Sequence, residues 1–151
     1  MLDQNLKEVL VKYKTLDVGL SKVKDMLKNV ARIDLRSDEN ENYTRGVFFD
    51  TNYKPGKDIN VSSSDIEIVL NKYLKNKITA VELEDWASFI LLMNETYNVC
   101  FNDSEQVQEI ALYILHKIAM PETVRGFTID NEVINYFIDC IQKGEIPTKF
   151  R

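Results

Sequence analysis

The chain has 151 residues, of which 44% are hydrophobic and 28% charged, and its formal net charge is −5. This length is enough for one domain with a substantial core, and we expect a single helical domain over residues 1–151. The acidic balance argues against nucleic acid and anionic membranes as partners, because it lacks the basic surface that supplies most affinity for phosphates.

The chain shows no targeting or membrane-spanning pattern. Its N-terminal residues include acids and no long apolar run, so they match neither a signal peptide nor a transit peptide. No apolar run approaches the roughly 20 residues needed to cross a bilayer, and we therefore expect a cytoplasmic protein. Cys100 and Cys140 are far apart without a CxxC motif, which favours reduced thiols while leaving a disulfide open.

The first 30 residues carry an amphipathic pattern. Apolar residues recur at three- and four-residue steps from Leu2 to Val30, which predicts helix. Gly19 costs about 1 kcal/mol relative to Ala inside a helix, so we expect one long helix bent or broken between Thr15 and Gly19. An exposed helix of this kind could pair with a copy of itself, which gives one function hypothesis: a self-associating structural or regulatory adaptor, with a homodimer as its form.

The next third of the chain is the least helical. Residues 37–42 form a polar stretch and predict a loop, whereas residues 46–49 predict a short strand and residues 52–56 a turn. We therefore expect a short strand or hairpin around residues 46–55. The stretch from Asp38 to Asn42 matches the opening of an EF-hand loop, but Tyr43 replaces the required Gly, so we exclude that calcium site.

Start signals for helices dominate the remainder. Capping boxes are predicted at Ser64 to Glu67 and at Thr79 to Glu82, and further caps at Asp103 with Gln106 and at Asp130. The predicted helices span residues 65–75, 80–97, 104–119 and 131–143, the last one terminated by Gly144. The second is apolar all round at residues 89–93, which indicates a central helix. The sequence thus predicts a mainly α, compact, bundle-like domain of five to six helices.

No catalytic constellation stands out. His116 is the only histidine, and it lies on the helix face opposite Val107, with no orienting partner at a recognisable spacing. Cys100 follows an acidic helix, which disfavours a thiolate, and Cys140 flanks an apolar stripe as a core residue would. No glycine-rich phosphate-binding motif is present. We therefore expect neither enzymatic activity nor a cofactor or metal.

The most informative feature is a one-sign stretch from Thr79 to Glu109, which holds seven acids and no Lys or Arg. The other residues together sum to +2. Helix capping and the helix dipole account for about five of these acids, but not for the missing basic residues, so a surface for a basic partner is the competing interpretation. The candidate partner-binding residues are Glu82, Glu84, Asp85, Glu95, Tyr97, Asp103, Glu105, Glu109 and Tyr113, with the tyrosines as aromatic anchors.

One segment resembles a known family. The pattern Leu70-x-x-Tyr73-Leu74-x-x-x-Ile78-Thr79-x-x-Glu82-Leu83-x-Asp85-Trp86-Ala87 resembles a helix-turn-helix stretch of small bacterial immunity proteins from polymorphic-toxin and contact-dependent inhibition systems. The resemblance covers about 20 residues. It implies an antitoxin that binds and blocks one cognate toxin without catalysis, and the acidic stretch would suit a basic toxin domain.

Overall fold

The computed structural model describes residues 4–38, 46–50, 59–95, 99–101 and 103–149. The protein is mainly α, as predicted, with seven α-helices, one 3₁₀ helix and two small sheets in this part of the chain. In chain order the elements are α1 (Gln4–Tyr13), α2 (Leu20–Leu27), β1 (Ala31–Asp34), the 3₁₀ helix (Arg36–Asp38), β2 (Gly46–Phe49), β3 (Ile59–Val61), α3 (Ser63–Leu74), α4 (Ala80–Glu95), β4 (Val99–Phe101), α5 (Glu105–Ala119), α6 (Glu122–Arg125) and α7 (Asn131–Lys143).

The N-terminal amphipathic segment is broken where the sequence predicted. The α1–α2 connection contains Leu16, which adopts φ = 56°, a left-handed conformation that ends a helix. Long-range hydrogen bonds hold this connection. Among them, Lys72 Nζ donates to Thr15 O at 2.6 Å, and Trp86 Nε1 donates to Lys14 O at 3.1 Å.

The apolar face of α1 and α2 lies inside the same molecule. Its buried residues are Leu6, Leu10, Tyr13, Val23 and Leu27. The exposed amphipathic helix that the adaptor hypothesis requires is therefore not present here, because two short helices bury this face in the chain's own core. The adaptor hypothesis loses the feature on which it was based.

The two sheets are short, and their strands pair differently: one sheet is antiparallel and the other is parallel. β1 and β2 pair antiparallel, from Ala31 opposite Phe49 to Asp34 opposite Gly46, which confirms the strand predicted at residues 46–49. The predicted turn at residues 52–56 lies outside the described residues. β3 and β4 pair in parallel, and each precedes a helix by a few residues. This places the first turns of α3 and α5 at the same edge of the sheet.

α4 is the central helix of the core, as its apolar sequence predicted. Residues 83–91 and 93 are all buried, and α4 packs against α3, α5, β2, β4 and the 3₁₀ helix. Trp86 is fully buried, and Phe89 meets Tyr13 edge-on, with ring centroids 5.2 Å apart. Among the described side chains of α4, Val81 and Glu82 in the first turn are exposed to solvent.

The helix caps agree with the sequence at three positions. The Thr79–Glu82 capping box is present, because Thr79 N donates to Glu82 Oε1 at 3.0 Å and Glu82 N donates to Thr79 Oγ1 at 3.1 Å. Asp130 Oδ1 accepts a hydrogen bond from Val133 N at 2.9 Å, and Gly144 ends α7 at φ = 69°.

Two predicted caps are wrong. Ser62, and not Ser64, caps α3, since its Oγ accepts from Asp65 N at 3.3 Å while Asp65 Oδ2 accepts from Ser62 N at 3.0 Å. Ser104 precedes α5, whereas the Asp103 carboxylate accepts from Ser63 N at 2.8 Å. The parallel pairing of β3 with β4 brings Asp103 to the start of α3, a tertiary contact that its own sequence neighbours do not encode.

These caps predict a difference between two serines separated by one residue. Ser62→Ala should lower the free energy of unfolding by about 1 kcal/mol, because it leaves the amide of Asp65 without its acceptor. Ser64→Ala is the matched control and should change it by less than about 0.5 kcal/mol, since Ser64 is exposed. Urea denaturation of the two variants measures both values, and a larger loss for Ser64→Ala would contradict the observed cap.

Candidate protein-binding surface

The three acids in the first turns of α4 occupy different environments. Glu82 is exposed, and its carboxylate closes the Thr79 capping box. Glu84 and Asp85 are only 6% and 4% exposed. The expectation that these two carboxylates lie on an exposed acidic surface is therefore wrong. A central helix buries most of its first turns, so its polar residues there meet protein and not solvent.

Glu84 joins α4 to two arginines. Its Oε2 lies 3.5 Å from Arg36 Nε, and its Oε1 lies 3.5 Å from an Nη of Arg125. The Arg125 side chain is 3% exposed and also donates to the carbonyl oxygens of Ile118, Met120 and Phe127. This arrangement fixes the 3₁₀ helix and α6 to the core, which is a structural role for Glu84.

Asp85 faces the N-terminal half of the molecule. Its Oδ1 accepts a hydrogen bond from Ser37 N at 3.1 Å. Its charge also acts on Tyr13, whose pKa is raised mainly by burial and further by the negative charges of Asp85 and Glu82. The two carboxylates make the local potential negative, and this potential disfavours a second negative charge beside them.

The second half of the acidic stretch lies mostly on α5. Glu105 and Glu109 are exposed, and Tyr113 is half-buried one turn further on. Their four-residue spacing places them on one face of the helix, which we call the α5 outer face. The Lys117 ammonium lies 5.6 Å from the centroid of the Tyr113 ring. Within the described residues, neither Glu105 nor Glu109 has an ion-pair partner.

The other predicted residues do not join this face. Asp103 is half-buried and bound to the first turn of α3. Glu95 is the last residue of α4, but its side chain is not described, and Tyr97 lies outside the described residues. The sequence therefore predicted a single acidic surface, whereas the structure divides its described part between a buried end of α4 and the exposed face of α5.

Sequence reasoning missed the residues that neutralise Glu84. Arg36 and Arg125 lie far from Glu84 along the chain, and neither belongs to a motif that announces a buried ion pair. The one available signal was the Arg125-Gly126 pair, because Gly126 ends α6 at φ = 81°. That signal predicts a helix end and says nothing about the direction of the arginine.

Of the catalytic candidates, the side chains of His116 and Cys140 are described. His116 is exposed, as predicted. Cys140 is a buried free thiol whose pKa is raised mainly by burial, which makes it a poor nucleophile. The side chain of Cys100 is not described. Among described residues, no three His, Cys, Asp or Glu side chains are grouped as a metal site requires.

None of the helices in the described part of the chain has both the length and the apolar character needed to cross a membrane. Comparison of the chain with protein-family models, with curated proteins and with solved structures gave no match.

The Glu84 ion pairs predict unequal effects for the two arginines. Arg125→Met should lower the free energy of unfolding by about 3 to 5 kcal/mol, because it leaves a buried carboxylate without its buried cation. Arg36→Met should cost about 1 kcal/mol or less, since the Arg36 side chain is 48% exposed. Urea denaturation measures both. Equal losses in the free energy of unfolding would show that burial of the arginine does not determine how much each ion pair stabilises the protein.

Proposed function

We propose that the chain is a non-catalytic acidic binding protein of the immunity type, which neutralises a cognate bacterial toxin by binding a basic surface on it. The observation that supports this most directly is the α5 outer face, where Glu105 and Glu109 are exposed without ion-pair partners among the described residues and Tyr113 follows on the same face. Carboxylates beside a tyrosine suit a basic protein partner, because charge steers the encounter and tyrosine serves as an anchor.

The electrostatics of the α5 outer face favour a bound cation. Two like charges four residues apart destabilise a helix by about 0.2 to 0.5 kcal/mol. The N-terminal dipole offsets this for Glu105, which lies in the first turn of α5. Glu109 lies a turn further in and benefits less. A lysine or arginine between the two carboxylates would relieve their repulsion, so a basic partner gains more here than at an isolated carboxylate.

The α5 outer face is also held rigidly. The opposite side of α5 is buried through Ile110, Ile114 and Ile118, among others. Gln106 Nε2 donates to Gly144 O at 2.9 Å, which ties the first turn of α5 to the end of α7. A surface that is already ordered loses little conformational entropy when it binds. This supports a preformed interface on α5.

The proposed contact includes fewer residues than the sequence predicted. We assign the toxin contact on this face to Glu105, Glu109 and Tyr113. Glu84 is neutralised inside the protein, and Asp103 accepts a hydrogen bond from Ser63 N at the start of α3, so neither is assigned a contact. Glu95 and Tyr97 remain predictions from the sequence alone.

The first experiment tests the function itself. The chain is co-expressed with the product of the gene immediately upstream, and host survival and co-purification are scored. Rescue of a toxic neighbour together with a stable complex is the expected result. A harmless neighbour that forms no complex would contradict the proposal. Sedimentation of the purified chain then tests self-association, for which a concentration-independent monomer is the result we expect.

Charge reversal on the α5 outer face tests the proposed contact. Glu105→Lys and Glu109→Lys, made singly, should each raise the Kd for the toxin by roughly 10-fold or more at 50 mM salt, because each adds repulsion against a basic surface. The effect should shrink at 500 mM salt, where screening acts within a few ångströms. Isothermal titration at both salt concentrations measures it.

Glu132→Lys is the matched control for Glu105→Lys. Glu132 is also exposed and also lies in the first turn of its helix, α7, so both variants lose the same favourable interaction with a helix dipole. We expect Glu132→Lys to change the Kd by less than about 2-fold. Equal weakening by both variants would mean that net charge, and not the α5 outer face, governs binding.

A further inference from the structure

A cavity of about 270 Å³ lies where the α1–α2 connection meets the 3₁₀ helix and the first turn of α4. Leu16, Leu20 and Val81 supply its apolar wall, and Glu82 and Asp85 are the charged residues that line it. None of the described residues that line it is a lysine, an arginine or a histidine. We call this space the α4 cavity.

Asp85 is the feature of the α4 cavity that requires explanation. Its side chain lines the cavity, although the residue is only 4% exposed. Ser37 N donates to Oδ1, and within the described residues Oδ2 accepts no hydrogen bond. A buried carboxylate is unfavourable unless it is paired with a cation or fully hydrogen-bonded. The described residues therefore provide this carboxylate with one hydrogen bond and no cation.

Glu84, the residue before Asp85 on α4, differs from Asp85 in its ion pairing. Glu84 is buried to a similar extent, and Arg36 and Arg125 lie within ion-pair distance of it. Asp85, one position further along α4, has no such cation among the described residues. The chain thus neutralises one of two adjacent buried carboxylates by itself and leaves the other facing a cavity.

The potential in the α4 cavity has the sign that attracts a cation. Tyr13, which also lines it, has its pKa raised by burial and by the charges of Asp85 and Glu82. Burial disfavours a charge of either sign, whereas the two carboxylates disfavour a phenolate and favour an ammonium or guanidinium at the same place. Glu82 at the exposed side would guide a cation inward, because it is the solvent-facing member of the pair.

We propose that the α4 cavity receives one lysine or arginine side chain of the protein partner. Its charged group would bind Asp85, and its methylene stem would pack on Leu16, Leu20 and Val81. This rests on the proposed function and adds a second contact point to the α5 outer face. Long basic side chains have this combination of an apolar stem and a charged end, and arginine is enriched among residues that dominate binding energy.

The size of the α4 cavity agrees with one side chain. Sites for drug-sized molecules and cofactors usually enclose roughly 300 to 1,000 Å³, so a cavity of about 270 Å³ is below that range. A single inserted side chain needs one charged partner and an apolar wall, and both are present.

The direct test uses n-butylammonium chloride as the probe, because it reproduces the end of a lysine side chain. The ¹⁵N-labelled protein is titrated at constant ionic strength, and the amide signals of Ser21, Ser37, Val81 and Asp85 are followed by NMR. We expect saturable shifts with a Kd of about 1 to 10 mM, the weak affinity typical of such a small ligand. n-Butanol, its uncharged analogue, should give no saturable shift. No saturation with butylammonium, or equal shifts with butanol, would overturn the proposal.

A substitution at Ser21 can place a competing ammonium group in the α4 cavity. Ser21 is exposed on α2 and lines the α4 cavity, so Ser21→Lys can place the chain's own ammonium beside Asp85. It should weaken butylammonium binding by about 10-fold or more, whereas Ser21→Gln, of similar length and no charge, should bind as the unaltered protein does. Equal binding by the two variants would overturn the proposal.

The same pair of variants separates this inference from the proposed function. Ser21→Lys should also weaken the toxin complex by about 10-fold or more relative to Ser21→Gln. If both variants bind the toxin with equal affinity, the α4 cavity is not a contact, while the proposed function stays intact. Ammonium binding without any toxin complex would overturn the proposed function and leave the cavity as a site for a basic side chain of another protein.

Discussion

The burial of α4 is the constraint on which the remaining structure depends. α4 is buried continuously over residues 83–91, and its neighbours include helices, strands of both sheets and the 3₁₀ helix. Trp86 is at the centre of this contact, and its indole nitrogen donates to Lys14 O. That hydrogen bond fixes the α1–α2 connection against α4. The N-terminal helices therefore complete the core and do not form a separate arm.

Burial also decides what each acid of the one-sign stretch can do. On α4, the buried Arg125 stabilises the buried Glu84, because a single buried charge is far less stable than a paired one. On α5, only one face is needed for the core, so Glu105 and Glu109 remain in solvent. The proposed interface thus combines an exposed charged face on α5 with a recessed carboxylate, Asp85, on α4.

Local sequence signals predicted the helical part of the fold well. Thr79 with Glu82, and Asp130 with Gly144, form the expected caps, because such bonds join residues only three or four positions apart or depend on one residue's backbone freedom. The strands β3 and β4 were not predicted, since three residues are too few to show a periodicity. The choice of Ser62 over Ser64 follows from where β3 ends, which local pattern did not reveal.

By itself, the sequence determined the mainly α class, the central position of α4, the break after α1 and the concentration of acids between Thr79 and Glu109. These properties follow from composition and from spacing along single helices. Only the tertiary structure decided which acids reach solvent. Arg36, Ser37 and Arg125 approach α4 from distant parts of the chain, and such contacts depend on how elements pack. Helical spacing specifies a residue's face, whereas packing specifies what that face meets.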